Sequence, residues 1–337
     1  MTAIRPLHFV FALSMVAACH GGALPIPGPG PGPDLGPKAD LASEAPPDLP
    51  GVDLLAVWGT DPQNVFFAGT KGTLLHLQDG HYTKVAGIPA VTWRGVAGTA
   101  WSVVVVGDGG TVLRSLDAGA SWQVAPTGVT EDLNAVAADG DRVWVAGDAG
   151  TLLASLDGGA SFTRVAAPTT EDLRGVTLLA NPAFLEPYVV GAGGTTLRGD
   201  TTADPPKFVL ATLPSGHDVN GAWFRVPSSL FIATAHPSVE SGAPRILQTD
   251  QWPDWKVACN FAGAVLHGIG GNDAGDIYAV GEYGSSGRGM YLYRAGTGCK
   301  SSATLPRPLR GVWVKGADAY LVGDGGTILH IQGTPSL

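Results

Sequence analysis

The sequence predicts an all-β fold, a seven-bladed β-propeller of four-stranded antiparallel blades, and three observations carry that prediction. Val103–Trp122 returns almost verbatim as Val143–Phe162, so the chain is a repeat array. A shorter signature (apolar residue, variable residue, Gly or Ala, apolar residue) occurs seven times, with its small residue at Ala56, Gly95, Ala135, Gly175, Gly221, Gly268 and Gly311. The steps between these, 39, 40, 40, 46, 47 and 43 residues, match the length of one four-stranded blade. Composition agrees: charged residues make up 15% of the chain, while Gly (49) and Pro (26) are plentiful. That balance suits short strands joined by tight turns and not long surface helices.

Two segments precede the first signature. Arg5 is followed by an apolar run, Leu7–Ala18, too short to cross a bilayer as a helix, and the run ends Val16-Ala17-Ala18-Cys19. This ending resembles the lipobox of bacterial lipoprotein signal peptides; an ordinary secretory signal with an incidental cysteine is the plainer alternative. The resemblance implies removal of residues 1–18 and lipidation of Cys19, which would place the protein in the bacterial cell envelope, at the outer membrane or cell surface. The lipid anchor would be its only membrane contact, each buried methylene contributing about 0.8 kcal/mol. Residues 19–50, with PIPGPGPGPDLGP and then APPDLP, hold almost no aromatic or β-branched side chains. Such a stretch cannot bury enough apolar surface to offset its ordering entropy, so it is expected to be a Pro/Gly-rich disordered tether, with the propeller occupying residues 51–337. Cys259 and Cys299 remain after cleavage, and in an exported chain a lone pair is most simply a disulfide.

Within the repeats the order is constant. An apolar run ending in Gly follows the signature, as in Val65–Gly69, Val103–Gly107 and Val143–Gly147, and is read as the second strand. A turn such as Asp108-Gly109 or Asp148-Ala149 leads to a third strand opened by Gly-Thr in five copies. The fourth ends near Val85, Val124, Val165, Val209 and Val257. The small residue of the signature has a physical reason, since first strands converge on the axis and a side chain there would collide with its neighbours. Alternation along the strand puts the variable residue on the opposite face. Asn181–Pro187 and His236–Pro244 are read as loop insertions in blades four and five. The seventh copy stops after its third strand, and residues near Asp48–Asp53 are expected to close the ring in part.

Two segments match the Asp-box pattern S-x-D-x-G-x-[ST]-[WF]: Ser115, Asp117, Gly119 and Trp122 in one, Ser155, Asp157, Gly159 and Phe162 in the other. With these boxes the repeats resemble sialidase-type propellers and the photosystem II assembly-factor family, a seven-bladed Asp-box propeller. The resemblance implies a structural role for the box, its Asp bonding backbone amides and its aromatic packing between sheets. Phe224-Arg225-Val226-Pro227 is similar to the arginine motif of sialidases, but it follows both boxes instead of preceding them, so no catalytic residue is assigned. No carboxylate pair for glycoside hydrolysis and no arginine triad can be assembled. Gly107–Thr111 lacks the ending of a phosphate loop and Asn272–Asp276 lacks further oxygen ligands for calcium. No metal or cofactor is expected, and a formal charge of −9 without a basic cluster argues against nucleic acid.

The constellation of most interest is the variable slot: Leu55, Arg94, Asn134, Arg174, Asn220, His267 and Arg310. Superposed repeats put these side chains in a ring at one mouth of the channel, with Arg94, Asn134, Arg174, Asn220, His267 and Arg310 as the polar, ligand-binding members. Three arginines there would suit a carboxylate, phosphate or acidic peptide; the alternative is that each pairs with a neighbouring blade's carboxylate. The expected function is a monomeric, non-catalytic binding or assembly module that holds a protein or glycan partner on a propeller face. The alternative class is a sialidase-type hydrolase or lyase.

Overall fold

The computed structural model describes residues 49–181, 184–213, 216–225, 229–234, 245–261, 263–296, 298–302 and 304–333. Cys19, the signal segment, the tether to residue 48, the His236–Pro244 insertion and Val226-Pro227 lie outside the described residues.

The chain folds into a seven-bladed all-β propeller. Six blades are four-stranded antiparallel sheets in sequential order, and the seventh has three strands among the described residues. The innermost strands are Leu54–Asp61, Trp93–Gly98, Leu133–Asp139, Leu173–Asn181, Val219–Arg225, Ala264–Gly271 and Leu309–Lys315. Each packs beside the next, and the last returns to the first, so the ring is closed. The apolar runs ending in Gly are the second strands and are buried almost throughout, as in Val103–Gly107. Their side chains on both faces enter the gaps between blades. Seven hydrophobic clusters result, each uniting the facing sheets of two neighbouring blades. Stability in such an array is a sum of nearest-neighbour interfaces.

The signature acquires a specific geometry. In all seven copies the ladder between first and second strands slips by one residue at the variable position. Trp93 pairs with Gly107 and Gly95 with Val106, leaving Arg94 unpaired. The variable residue is therefore the extra residue of a β-bulge, a device that re-aims a side chain. Simple alternation does not describe it: the bulge turns the side chain out of the ladder toward the mouth. The small residue after it meets the next blade's backbone. A β-carbon on Gly95 would stand 3.2 Å from the Ala135 Cα, and one on Gly311 2.9 Å from the Leu55 carbonyl oxygen.

Among the described residues closure uses a linker and not a strand. Leu49, which the sequence places in the tether, is buried together with Val52 against Phe67, Val322 and Ile328. Gly325 donates its N–H to Asp53 Oδ1 at 2.8 Å, and Tyr320 donates its hydroxyl to the Pro62 carbonyl at 3.0 Å. Residues 49–53 thus fill the slot that an interblade connection fills elsewhere.

The described part of the insertion in blade four is strand and not loop: Asn181 faces Phe184 and Leu179 faces Glu186 in one long hairpin. Cys259 and Cys299 are joined as a disulfide that ties the outermost strands of blades five and six.

Candidate functional site

Six of the seven bulge residues line one open cavity of about 290 Å3 at the axis, together with the small residues that follow all seven, while Arg310 stands against His267 at its edge. All six polar members are partly buried there, and the structure shows what each touches. Arg94 donates from Nε to Asp108 Oδ1 at 2.6 Å and from Nη2 to Asp132 Oδ2 of the next blade at 3.1 Å. Arg174 donates from Nη1 to Asp218 Oδ2 at 2.7 Å and to Asn220 Oδ1 at 3.1 Å, again across a blade boundary. Arg310 grips Asp324 through Nε and Nη2, both at 2.8 Å, in a fork that fits a carboxylate. Asn134 donates to Asp148 Oδ1 and to the Leu173 carbonyl, and Asn220 to the Leu266 carbonyl, so both asparagines bridge blades.

The carboxylates form a second, interleaved ring. Asp53, Asp132, Asp172 and Asp218 each precede a signature, and each accepts the N–H of a turn residue in the preceding blade: Gly325, Gly109, Ala149 and Gly193. Those four donors all have positive φ, between 52° and 65°, which turns their N–H outward. Asp132 and Asp218 use the second oxygen for the arginine, so one carboxylate latches a turn and a guanidinium together. Burial raises the Asp218 carboxyl, but the Gly193 amide and Arg174 outweigh it and hold it below its ordinary value. Sequence reasoning missed these latches, although their signal is an Asp directly before the signature in four of seven copies.

Counted with Asp108, Asp148, Glu282 and Asp324, eight carboxylates stand at the mouth against three guanidinium groups. The arginines the sequence would offer as a free cationic ring are committed to ion pairs, about a third exposed.

His267 is the most enclosed member of the ring. Its Nε2 lies 2.9 Å from Arg310 Nη1 and 3.2 Å from Glu282 Oε1. Burial, reinforced by the Arg310 charge, lowers its pKa below the ordinary 6.5. Just below pH 6.5 the unfolded chain therefore binds the proton more readily than the folded one. The contribution of His267 to stability is complete above that pH and is lost as pH falls through it. Burial acts on His76 in the same direction. Thermal stability is expected to decline between pH 7 and pH 5, and His267→Gln should flatten that decline. Superimposable pH profiles for the two proteins would contradict the assignment.

The two box segments close on themselves. Ser121 donates its N–H and its hydroxyl to Asp117 at 2.8 and 2.6 Å, while Gly119 donates to Ser115 Oγ at 2.8 Å. Asp157, Ser155, Gly159 and Ser161 repeat the arrangement. The Ser121 hydroxyl and amide hold the Asp117 carboxyl below its ordinary value. Trp122 packs edge-on to Phe66 of blade one, with ring centroids 5.9 Å apart, and Phe162 packs into the cluster between blades two and three. Arg225, at the far end of its strand, stands on the opposite face from the mouth.

No known family model and no curated protein matches the sequence. Among solved structures the propeller is similar to YCF48 bound to D1 peptide, with a TM-score of 0.65 and 12% identity over 84% of this chain and 93% of that one. YCF48 from Cyanidioschyzon merolae gives 0.64 and 13% over 84% and 96%. The GH74 enzyme of Niastella koreensis gives 0.66 and 12% over 86% of this chain and 54% of the other, about half of its length. At these identities the likeness is one of fold, and one propeller fold hosts unrelated functions.

Proposed function

We propose that the chain is a non-catalytic binding module that holds a segment of a partner protein at the mouth of its central channel. The observation that carries this reading is the convergence of six of the seven bulge residues on one open cavity, with the seventh, Arg310, against His267 at its edge. A scaffold role alone asks for no variation there. The flanking apolar and small residues repeat while this slot changes from Leu to Arg, Asn and His.

The chemistry of the ring then selects the kind of partner. Arg174 engages its carboxylate through Nη1 alone and lines the cavity, so N–H donors and carboxylate acceptors stand side by side at the mouth. Such a mixed surface complements peptide amides and side chains of both signs. A bare anion would first have to displace Asp108, Asp218 or Asp324. Among the described residues the lining holds no Phe, Tyr or Trp on which a sugar face could stack, which favours protein over glycan. That a propeller of the same fold is known with a bound peptide supports the reading by analogy.

A photoreactive residue in place of Leu55, the apolar member of the ring, is expected to form an adduct with a protein in the native host. One placed at Leu116, an exposed residue of a box turn, is expected to form none. Replacing Arg94, Arg174 and Arg310 together by Gln should abolish the adduct. Each exposed ion pair lost costs only about 0–1 kcal/mol, so the triple variant should stay folded. An adduct that survives in the triple variant, or one that forms from position 116 instead, would refute the proposal. Cleavage of sialosides that disappears on Arg225→Ala would favour the hydrolase class.

A further inference from the structure

The face opposite the mouth carries an arrangement that the binding reading does not use. Arg225 ends the first strand of blade five, Arg294 lies near the end of the third strand of blade six, Arg288–Ala295, and both strand ends open on this face. The Arg225 guanidinium rests on Gly275, in the turn before the second strand of blade six. A β-carbon there would come within 2.7 Å of Nη1, so the glycine makes room for the cation. Arg294 faces Ile277 in the ladder, two residues beyond that glycine, and its guanidinium carbon stands 5.5 Å over the Phe231 ring of blade five. Two cations from neighbouring blades thus flank one turn.

Among the described residues neither has a counterion in contact, and neither forms a salt bridge even with Asp273 in the same turn. The Arg294 Nε is buried with no hydrogen-bond partner. Asp250 senses the Arg225 charge from beyond ion-pair distance, but it already accepts the Ser229 hydroxyl at 2.6 Å and the Gln248 amide at 3.2 Å. Burial, and then the charge of Arg225, push the Arg294 guanidinium below its ordinary range, as expected for like charges held together without an anion. Arg94, Arg164, Arg174, Arg198 and Arg310 are ion-paired; among the described arginines without a salt bridge, Arg225 and Arg294 flank one turn from neighbouring blades.

We propose that Arg225 and Arg294 together bind one oxyanion, a carboxylate or a phosphate-type group, where blades five and six meet on this face. Each guanidinium presents a planar fork of N–H donors that matches two oxygens of such a group. A bound anion supplies the charge that the protein withholds, and the aromatic face of Phe231 keeps Arg294 oriented for it.

Titrations of the purified protein with inorganic phosphate, sulfate and acetate at matched ionic strength test the site, with chloride as the reference. At least one oxyanion is expected to raise the melting temperature above the chloride value. Its dissociation constant should weaken about tenfold or more on Arg225→Gln or Arg294→Gln, as for a lost charge-assisted hydrogen bond. The response should vanish in the double variant, weaken in Gly275→Ala, and be unchanged in Arg164→Gln. Preference for phosphate or sulfate would assign a tetrahedral ligand, and preference for acetate a carboxylate; either supports the site. If the double variant does not fold, Arg225→Lys and Arg294→Lys keep the charges but lose the fork, and each should still weaken binding. A wild type that treats oxyanions like chloride, or folded variants that bind as wild type does, would overturn the proposal.

Discussion

Gly107→Ala is expected to lower the free energy of unfolding by about 3 kcal/mol, at the upper end of the range for overpacking. Gly107 closes the second strand of blade two opposite Trp93. A β-carbon there would overlap the Thr92 carbonyl oxygen and stand 3.1 Å from the Trp93 ring. The obstacle is backbone, which cannot swing aside as a side chain does. Moving Thr92 also breaks the bond its oxygen receives from the Asp108 N–H at 3.0 Å and shifts the bulge that holds Arg94. The penalty is steric and not conformational, because Gly107 has φ −166, an extended value that any residue adopts. Gly109 is the internal contrast: φ there is 62, yet nothing lies within 4 Å of a β-carbon. Gly109→Ala should therefore cost only about 1 kcal/mol. Urea denaturation of both variants checks the pair, and a loss below about 1 kcal/mol for Gly107→Ala would show that the inner strand yields more easily than its contacts imply. The overlap recurs at Gly69, Gly191, Gly281 and Gly323, each against the carbonyl just before a signature.

That recurrence explains why so much of the fold could be read from the sequence. The glycine that faces the residue before the bulge in six of the seven blades, Thr234 taking its place in blade five, and the small residue of each signature answer steric demands that repeat with the blades, so they recur in the text as they do in space. The variable slot was legible as a position but not as a geometry. Bulges leave no composition of their own, and only the pairing of Trp93 with Gly107 and Gly95 with Val106 reveals that Arg94 is the extra residue. Its charge environment was hidden for a different reason. Asp132 and Asp218 lie 38 and 44 residues from their arginines, and only the packing of each blade against the next brings them together. The hairpin of blade four was misread because Asn181-Pro182 carries turn chemistry, while the ladder on either side of it simply lengthens. Arg225 drew notice for a motif, whereas its partner Arg294 has no sequence signal at all.

Replacing Cys259 and Cys299 together by Ser is expected to cost about 4 kcal/mol, the chain-entropy value for a crosslink closing a loop of this size. The two cysteines are 40 residues apart and join the edge strands Asp254–Asn260 and Gly298–Ser301. The second of these is only four residues long, so the crosslink holds a strand that few ladder bonds secure. Cys259 is buried with Phe231, Ile246, Met290 and Leu292, and a polar serine there adds its own cost, which a Cys→Ala pair separates from the loss of the bond. The consequences for the two faces should differ. Cys299 faces Arg294 in the ladder, and the Cys259 cluster contains the ring on which that arginine rests. Loosening the edge of blade six therefore disturbs the oxyanion pair directly. The mouth lies at the other end of the inner strands, held by bulges and by the Asp53, Asp132, Asp172 and Asp218 latches, none of which touches these edges. The crosslink-free protein should lose the oxyanion response at temperatures where it still forms the Leu55 adduct. Simultaneous loss of both would mean that the ring melts as one unit and that the disulfide serves the whole propeller.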